Sequence, residues 1–176
     1  LKGFLREKQE HIQEQEREIA HLIPKLKEIR KSGDETIKAE IYEGLKGIKA
    51  IYEKILITLH EEETQYVIGA PRQANEQIEG FLLDWHKRRI KKGVKCKYIY
   101  QNDVKDYGRI REKMLLTEVR YLPKNIISPV WIEIFDSCVV LGHIKGQNTM
   151  LFLIQDKEIA KNYLDYFNLI WKASEK

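Results

Sequence analysis

The sequence has few cysteines and no arrangement of them that builds a metal or redox site. Only two of the 176 residues are cysteine, Cys96 and Cys138, and they do not form a C-x-x-C pair. Both fall in apolar runs typical of strands, so we expect two buried thiols in a reducing compartment rather than a disulfide. None of the five histidines lies at metal-ligand spacing from a cysteine or another histidine. The sequence therefore predicts no metal and no cofactor.

Long apolar runs and common catalytic motifs are also missing. No apolar run approaches the ~20 residues that a membrane-spanning helix needs, and no signal peptide opens the chain. Because the chain begins at Leu1 rather than at a methionine, we interpret it as a fragment or a processed piece. Since the sequence shows neither a membrane span nor a signal peptide, we expect a cytoplasmic protein. No G-x-S-x-G, P-loop or G-x-G-x-x-G pattern occurs. These absences exclude the corresponding hydrolase, NTPase and dinucleotide-binding classes.

Charge is abundant but mixed in sign. The 31 basic and 27 acidic residues give a formal net charge of +4, whereas a domain that binds duplex DNA usually concentrates its basic residues on one face. One basic run stands out, between positions 86 and 97. Its members are His86, Lys87, Arg88, Arg89, Lys91, Lys92, Lys95 and Lys97. The dipole of a helix favours cations in its last turn, so a structural role is favoured, with an anion or nucleic-acid contact as the alternative.

The first 33 residues carry a heptad repeat. Apolar residues recur every seven positions and at the companion position of the heptad, with charged and amide residues between them. These residues are Leu1, Leu5, Ile12, Ile19, Leu22, Leu26 and Ile29. The pattern predicts a coiled-coil helix that forms a homodimer, although Lys8 and Gln15 interrupt the seam. A single amphipathic helix packed on its own domain is the alternative.

From residue 34 to 176 the pattern changes to that of an α/β domain. Three segments that each read as a strand followed by a helix predict parallel βαβ units. The later strands are joined by connections too short for helices, which predicts antiparallel hairpins. The expected strands are 37–42, 66–68, 94–100, 118–122, 130–135, 138–144 and 150–154, with a last helix from Lys157 to Ala173 capped by Asp156. The expected fold is therefore α/β, a mixed parallel and antiparallel sheet with helices on both faces.

A candidate ligand site follows the second of these strands, at the turn Gly69-Ala70-Pro71. In open α/β sheets, ligands bind in crevices at the carboxyl edge of the strands. Aromatic faces with a few polar groups suit a sugar or another small polar metabolite. The candidates on this basis are Gly69, Arg72, Asn75, Glu79, Arg120, Tyr121, Trp131 and Glu133. The alternative is that Trp131 and Tyr121 are ordinary core residues.

An ordered series of short matches resembles the TrmB-like archaeal transcriptional regulators. The matching segments are Leu22-Ile23-Pro24, Ile41-Tyr42-Glu43-Gly44, Ile68-Gly69-Ala70-Pro71, Gly80-Phe81, the run 86–93, Glu118 to Pro123 and Trp131 to Ile134. The resemblance implies a winged helix that binds operator DNA, a dimerising helix and an effector domain of phospholipase D-like fold that senses sugars or other metabolites. The winged helix and its DNA-contacting residues have no positions in this sequence.

The phospholipase D resemblance can be checked at its catalytic motif. Enzymes of that family use His-x-Lys-x4-Asp, and the nearest match here is Pro129-x-Trp131-x4-Asp136. Proline offers no nucleophile, so covalent phosphodiester chemistry of that kind cannot run at this position. The resemblance therefore implies a binding module on a catalytic fold, with Asp136 as a further effector-binding candidate.

The sequence as a whole predicts the dimerisation and effector-sensing part of a DNA-binding transcriptional regulator, not an enzyme. The expected partners are a second copy through the N-terminal helix, a small-molecule effector and operator DNA, with no membrane. Three alternatives stay open: a protein-interaction scaffold without a small ligand, a phosphodiesterase of the phospholipase D fold, and direct DNA contact through the basic run.

Overall fold

The computed structural model describes residues 37–124, 131–145 and 148–176. The heptad residues Leu5, Ile12, Ile19, Leu22, Leu26 and Ile29 and the predicted domain boundary at residue 33 lie outside the described residues, as does Pro129. The elements in chain order are β1 Lys38–Glu43, α1 Gly44–Thr58, β2 Thr64–Ile68, α2 Arg72–Lys91, β3 Lys95–Tyr100, a 3-10 turn Asn102–Val104, α3 Lys105–Glu112, β4 Thr117–Tyr121, β5 Trp131–Phe135, β6 Cys138–Lys145, β7 Asn148–Gln155 and α4 Lys157–Ala173.

The described strands form one mixed sheet in the order β1-β7-β6-β5-β2-β3-β4. Strands β2, β3 and β4 are parallel, and their connections contain α2 and α3. Strands β5, β6 and β7 follow as antiparallel hairpins. The predicted mixed sheet is therefore confirmed. The structure adds that the parallel half meets the antiparallel half between β2 and β5.

Strand β1 is the exception to the predicted βαβ order. We expected it to form a parallel unit with β2, but it lies at the far edge of the sheet and pairs antiparallel with β7. Four successive antiparallel pairings separate β1 from β2, so the two strands run in the same direction but are not neighbours. The strand–helix–strand pattern shows which elements follow each other along the chain. It does not show which strand an edge strand pairs with, because that strand can be distant in the sequence.

Helices cover both faces of the sheet, as predicted. One core lies between the sheet and helices α1 and α2, where Ile48, Ile55 and Trp85 are fully buried. The other lies under α4, where Phe167 is fully buried against the opposite face. Burying one such side chain contributes roughly 1.5–3 kcal/mol.

The last helix begins and ends as its sequence predicts. The Asp156 carboxylate accepts a hydrogen bond of 2.8 Å from the backbone N–H of Ile159 and caps the helix. Its inward residues Tyr163, Phe167 and Trp171 recur at helical spacing and pack into the core under α4. In the part of the chain that the structure describes, no helix is both long and apolar enough to cross a membrane.

Candidate functional site

The predicted site residues at the start of α2 shape the turn after β2. Gly69 has a φ of +68°, a conformation that favours glycine, and its N–H donates to the Ile99 carbonyl at 2.9 Å. Asn75 is buried, and its side-chain amide donates to the Pro71 carbonyl at 3.0 Å. Both residues therefore hold the backbone at the carboxyl edge of β2.

Arg72 and Glu79 join α2 to α3. Arg72 makes two hydrogen bonds to Asp106, of 2.9 and 2.8 Å, and also contacts the Asp103 carbonyl. Two turns along α2, Glu79 accepts from Arg111 at 2.9 and 2.5 Å. Arg111 is fully buried, and its pairing with Glu79 raises its pKa. The two pairs have the same chemistry, but one is exposed and one is buried.

Tyr121 and Arg120 lie on opposite faces of β4. The Tyr121 hydroxyl donates to Glu112 at 2.6 Å, and the ring packs against Gly108, where any Cβ would lie 2.6 Å from the hydroxyl oxygen. Arg120 points to α4 instead, donates to the Trp171 carbonyl at 2.6 Å and stacks 4.7 Å from the indole ring centre. These two neighbours therefore do not share a site.

Trp131 and Glu133 are buried on the face that α1 and α2 cover, with exposed fractions of 4% and 1%. The Gln65 amide donates to one carboxylate oxygen of Glu133 at 2.7 Å. Burial raises the pKa of Glu133 to about 7, although the Tyr52 hydroxyl, the Gln65 amide and the Trp131 indole each lower it. Among the described residues, no group makes a hydrogen bond of acceptable geometry to the second carboxylate oxygen of Glu133. The same holds for the indole N–H of Trp131.

Glu133 is one end of a series of buried polar contacts that crosses the sheet. Gln65 on β2 accepts from the Cys96 thiol on β3 at 3.1 Å. Farther along β3, the Tyr98 hydroxyl lies 3.4 Å from Nε2 of His86. The thiol of Cys96 is inert, since burial raises its pKa to about 12. Both cysteines are free and buried, as predicted.

The series ends at Arg89, a guanidinium with no carboxylate partner among the described residues. Arg89 is fully buried, and it donates to Nδ1 of His86 at 2.8 Å and to the carbonyls of Val94 and Leu116 at 2.9 and 3.0 Å. Because Nδ1 accepts, the ring proton of His86 is assigned to Nε2. Burial and the nearby guanidinium groups hold the pKa of His86 well below its usual value.

We missed Gln65, His86, Arg89 and Arg111 as interior residues because polar residues are read as exposed by default. One signal was present for α2: His86 and Arg89 continue the stripe of Ile78, Leu82 and Trp85 at helical spacing. A charged residue in register with an apolar stripe indicates a buried, hydrogen-bonded charge.

The rest of the basic run is largely paired with acidic or backbone partners. Arg88 binds Glu53 and Asp84, Lys95 binds Glu62, and Lys97 binds Glu118. The Lys92 ammonium donates to the Leu56 carbonyl at 2.6 Å. These four cations of the run thus have partners within the fold, whereas Lys87 and Lys91 are exposed, and both the structural role and the nucleic-acid contact stay predictions.

Asp136 lies at the β5–β6 turn, where it has a φ of +49° and accepts from the Ser137 hydroxyl at 3.0 Å. It lines a cavity of about 380 Å³ beneath α4, at the edge of the sheet opposite to Gly69. Over residues 37–124, 131–145 and 148–176, no group of three or more His, Cys, Asp or Glu is placed to hold a metal ion.

The predicted candidates are thus spread over several places. Arg72, Asn75 and Glu79 lie together on α2, Trp131 and Glu133 face α1, and Asp136 lies at the opposite edge. Effector binding by these residues stays a prediction.

No protein-family model and no curated protein matches the sequence. Among solved structures, TrmBL2, an archaeal chromatin protein with a novel mode of DNA binding, is similar over 100% of this chain and 69% of its own, with 18% identity and a TM-score of 0.55. NucT from Helicobacter pylori is similar over 80% of this chain and 99% of its own, with 16% identity and a TM-score of 0.55.

Nuc from Salmonella typhimurium, a phospholipase D family member, is similar over 80% of this chain and 97% of its own, with 11% identity and a TM-score of 0.56. At these identities the similarity concerns the fold. The chain therefore has a phospholipase D-like α/β fold, in a form also seen in a DNA-binding chromatin protein.

Proposed function

We propose that this chain is the non-catalytic, dimer-forming and effector-sensing part of a TrmB-like DNA-binding regulator. The observation that carries the proposal is the burial of Trp131 at the position where the phospholipase D motif has its phosphate-binding lysine. An indole buried in the core cannot replace a lysine that must reach a phosphate. Similarity to TrmBL2 over the full length of the chain supports the regulatory side of the proposal.

The proposed mechanism is allosteric coupling between the effector site and the DNA-binding domains. An effector bound to the α/β domain would change how two copies are disposed, and a heptad helix would pass that change to DNA-binding domains. Such coupling is typically worth about 1–3 kcal/mol.

A phosphodiesterase assay tests the non-catalytic part. We expect no turnover of bis(p-nitrophenyl) phosphate above buffer, and the same result for the variants His86→Ala and His143→Ala. Turnover by the wild type that disappears in either variant, with the variant still folded by circular dichroism, would overturn the proposal, because it would identify a working histidine nucleophile.

Light scattering on the full-length chain tests the dimer. We expect the mass of two chains for the wild type, and of one chain when Ile12 and Ile19 are both replaced by aspartate. The matched control replaces Gln13 and Ala20, which lie outside the heptad seam, by aspartate. A dimer that persists in the Ile12/Ile19 variant would contradict the prediction that the heptad residues hold the dimer together.

A protein-interaction scaffold is a second candidate, and one observation favours it. Ile41 on β1 and Phe152 on β7 are direct cross-strand partners, with exposed fractions of 60% and 37%. Exposed apolar residues mark a contact surface when they belong to a contiguous patch, and this pair would be the centre of one. A scaffold would form complexes with a protein partner and would show no thermal shift with any small metabolite.

A further inference from the structure

The cavity beneath α4 has an apolar floor that comes from three elements. Tyr66 of β2, Ile134 of β5 and Leu164 of α4 line it, together with the buried Ala160. The Tyr66 ring is fixed by an edge contact with Phe167, with ring centres 5.0 Å apart. The volume, about 380 Å³, lies at the small end of the roughly 300–1,000 Å³ typical of ligand sites.

The rim of the same cavity is polar and carries more positive than negative charge. Lys157 and Lys161 lie one turn apart on α4, and Asp136 lies across from them on the β5–β6 turn. Asp136 is already bound by the Ser137 hydroxyl. Lys161 makes no ion pair within the described residues, so its ammonium is the cation best placed to receive a ligand.

This combination selects a ligand class. The aromatic and aliphatic floor favours a hydrocarbon group over a sugar, because a sugar needs several hydrogen-bonding groups around it. An ammonium on the rim favours an anion. The carboxylate of Asp136 on the same rim disfavours a dianion such as a phosphate monoester, because like charges repel.

We propose that the α4 cavity binds a small amphipathic carboxylate, with the acid group at Lys161 and the hydrocarbon group between Tyr66 and Leu164. The inference rests on the proposed function in one respect, since it names the effector class of that sensing domain. The site differs from the crevice at Gly69 that we expected from the sequence.

Calorimetric titration of the full-length chain tests this inference with matched pairs of probes. Hexanoate and phenylacetate are compared with hexanamide and phenylacetamide, which have the same hydrocarbon groups without the charge. We expect saturable binding of at least one acid, and about tenfold weaker binding of its amide, because a hydrogen bond to a charged group is worth more than a neutral one.

The variant Lys161→Gln should abolish the preference for the acid and leave the affinity for the amide unchanged. Lys172→Gln is the matched control, because Lys172 is an exposed lysine near the other end of the same helix. Absence of saturable binding for both acids would overturn the inference, and so would an acid preference that survives in Lys161→Gln. Neither result touches the phosphodiesterase and light-scattering tests, so a failure of this site is distinguishable from a failure of the proposed function.

Discussion

At the scale of single residues, Glu133 illustrates what can and cannot be predicted from the sequence. Alternation along the strand places Trp131, Glu133 and Phe135 on one face of β5, and this follows from the sequence alone. Which face is covered depends on where α1 and its Tyr52 pack, and that is set by the order of distant strands. The residues could therefore be singled out, but their burial could not be predicted.

The substitution Glu133→Gln should stabilise the protein more at high pH than at low pH. The folded-state pKa of about 7 lies above the unfolded value near 4.5. The folded chain thus binds more protons between these values, so its stability falls as pH rises from 4.5 to 7. The penalty is on the order of 3 kcal/mol at pH 8 and less than about 1 kcal/mol at pH 5. Thermal unfolding at both pH values should show a rise in Tm of several degrees at pH 8 only.

Glu118→Gln provides the control, because Glu118 is an exposed carboxylate whose ion pair with Lys97 lies at the surface. It should change Tm little at either pH. A lower Tm for Glu133→Gln at pH 8 would show that the ionised carboxylate is stabilising and that its burial is compensated by another group.

At the scale of secondary-structure elements, the contact between α2 and α3 contains two ion pairs that invite a direct comparison. Glu79→Gln leaves the fully buried Arg111 without its counter-charge, and we expect a loss of about 3 kcal/mol in the free energy of unfolding. Asp106→Asn breaks the Arg72 pair, whose partners are 41% and 58% exposed, and should cost much less because water replaces the lost contact. Urea unfolding of both variants measures the difference.

The single variant Arg111→Met and the double variant Glu79→Gln with Arg111→Met complete the cycle. The double variant should recover part of the stability lost in Glu79→Gln, because no buried charge is left without a partner. Equal losses for Glu79→Gln and Asp106→Asn would mean that the buried pair is solvated in solution.

Most elements could be predicted from local patterns, and the exceptions have physical reasons. The α4 bounds agree with prediction because Asp156 caps the helix and its apolar residues keep a strict helical spacing. The sequence predicts a weak helix from Val104 to about Met114, and the structure has the shorter helix α3, Lys105–Glu112, after a 3-10 turn that ends at Val104. The helix is short because Val104 and Tyr107 supply only a small apolar stripe. The partner of β1 could not be predicted, because no residue pattern in or near β1 indicates a pairing with β7.

At the scale of the whole molecule, many charged side chains of the described residues are paired with a residue of opposite charge. Within the basic run, Arg88, Lys95 and Lys97 are each paired with a carboxylate. We therefore expect that replacing the exposed Lys87 and Lys91 by glutamate changes any affinity for duplex DNA by less than about threefold, because these lysines would contact few phosphates and release few counterions from them. Fluorescence anisotropy at low and moderate salt measures this.

The double replacement of Lys113 and Lys172 by glutamate serves as a charge-matched control, because both are exposed lysines elsewhere on the surface. A large and salt-dependent loss specific to the Lys87/Lys91 variant would make this helix end a DNA contact.

The position of β1 has a consequence for how the chain is made. β1 is the first described strand to leave the ribosome, yet its hydrogen-bonding partner β7 is the last. During synthesis, β1 has no strand partner until β7 is made, although β2 to β6 can already assemble. The edge of β6 that later pairs with β7 is also unpaired during this time. Pairing across so long a stretch of chain is slow because the loop must close first. Completion of the sheet is thus postponed until translation is nearly finished, and nascent chains stalled before β7 would expose an unpaired strand that is prone to aggregate.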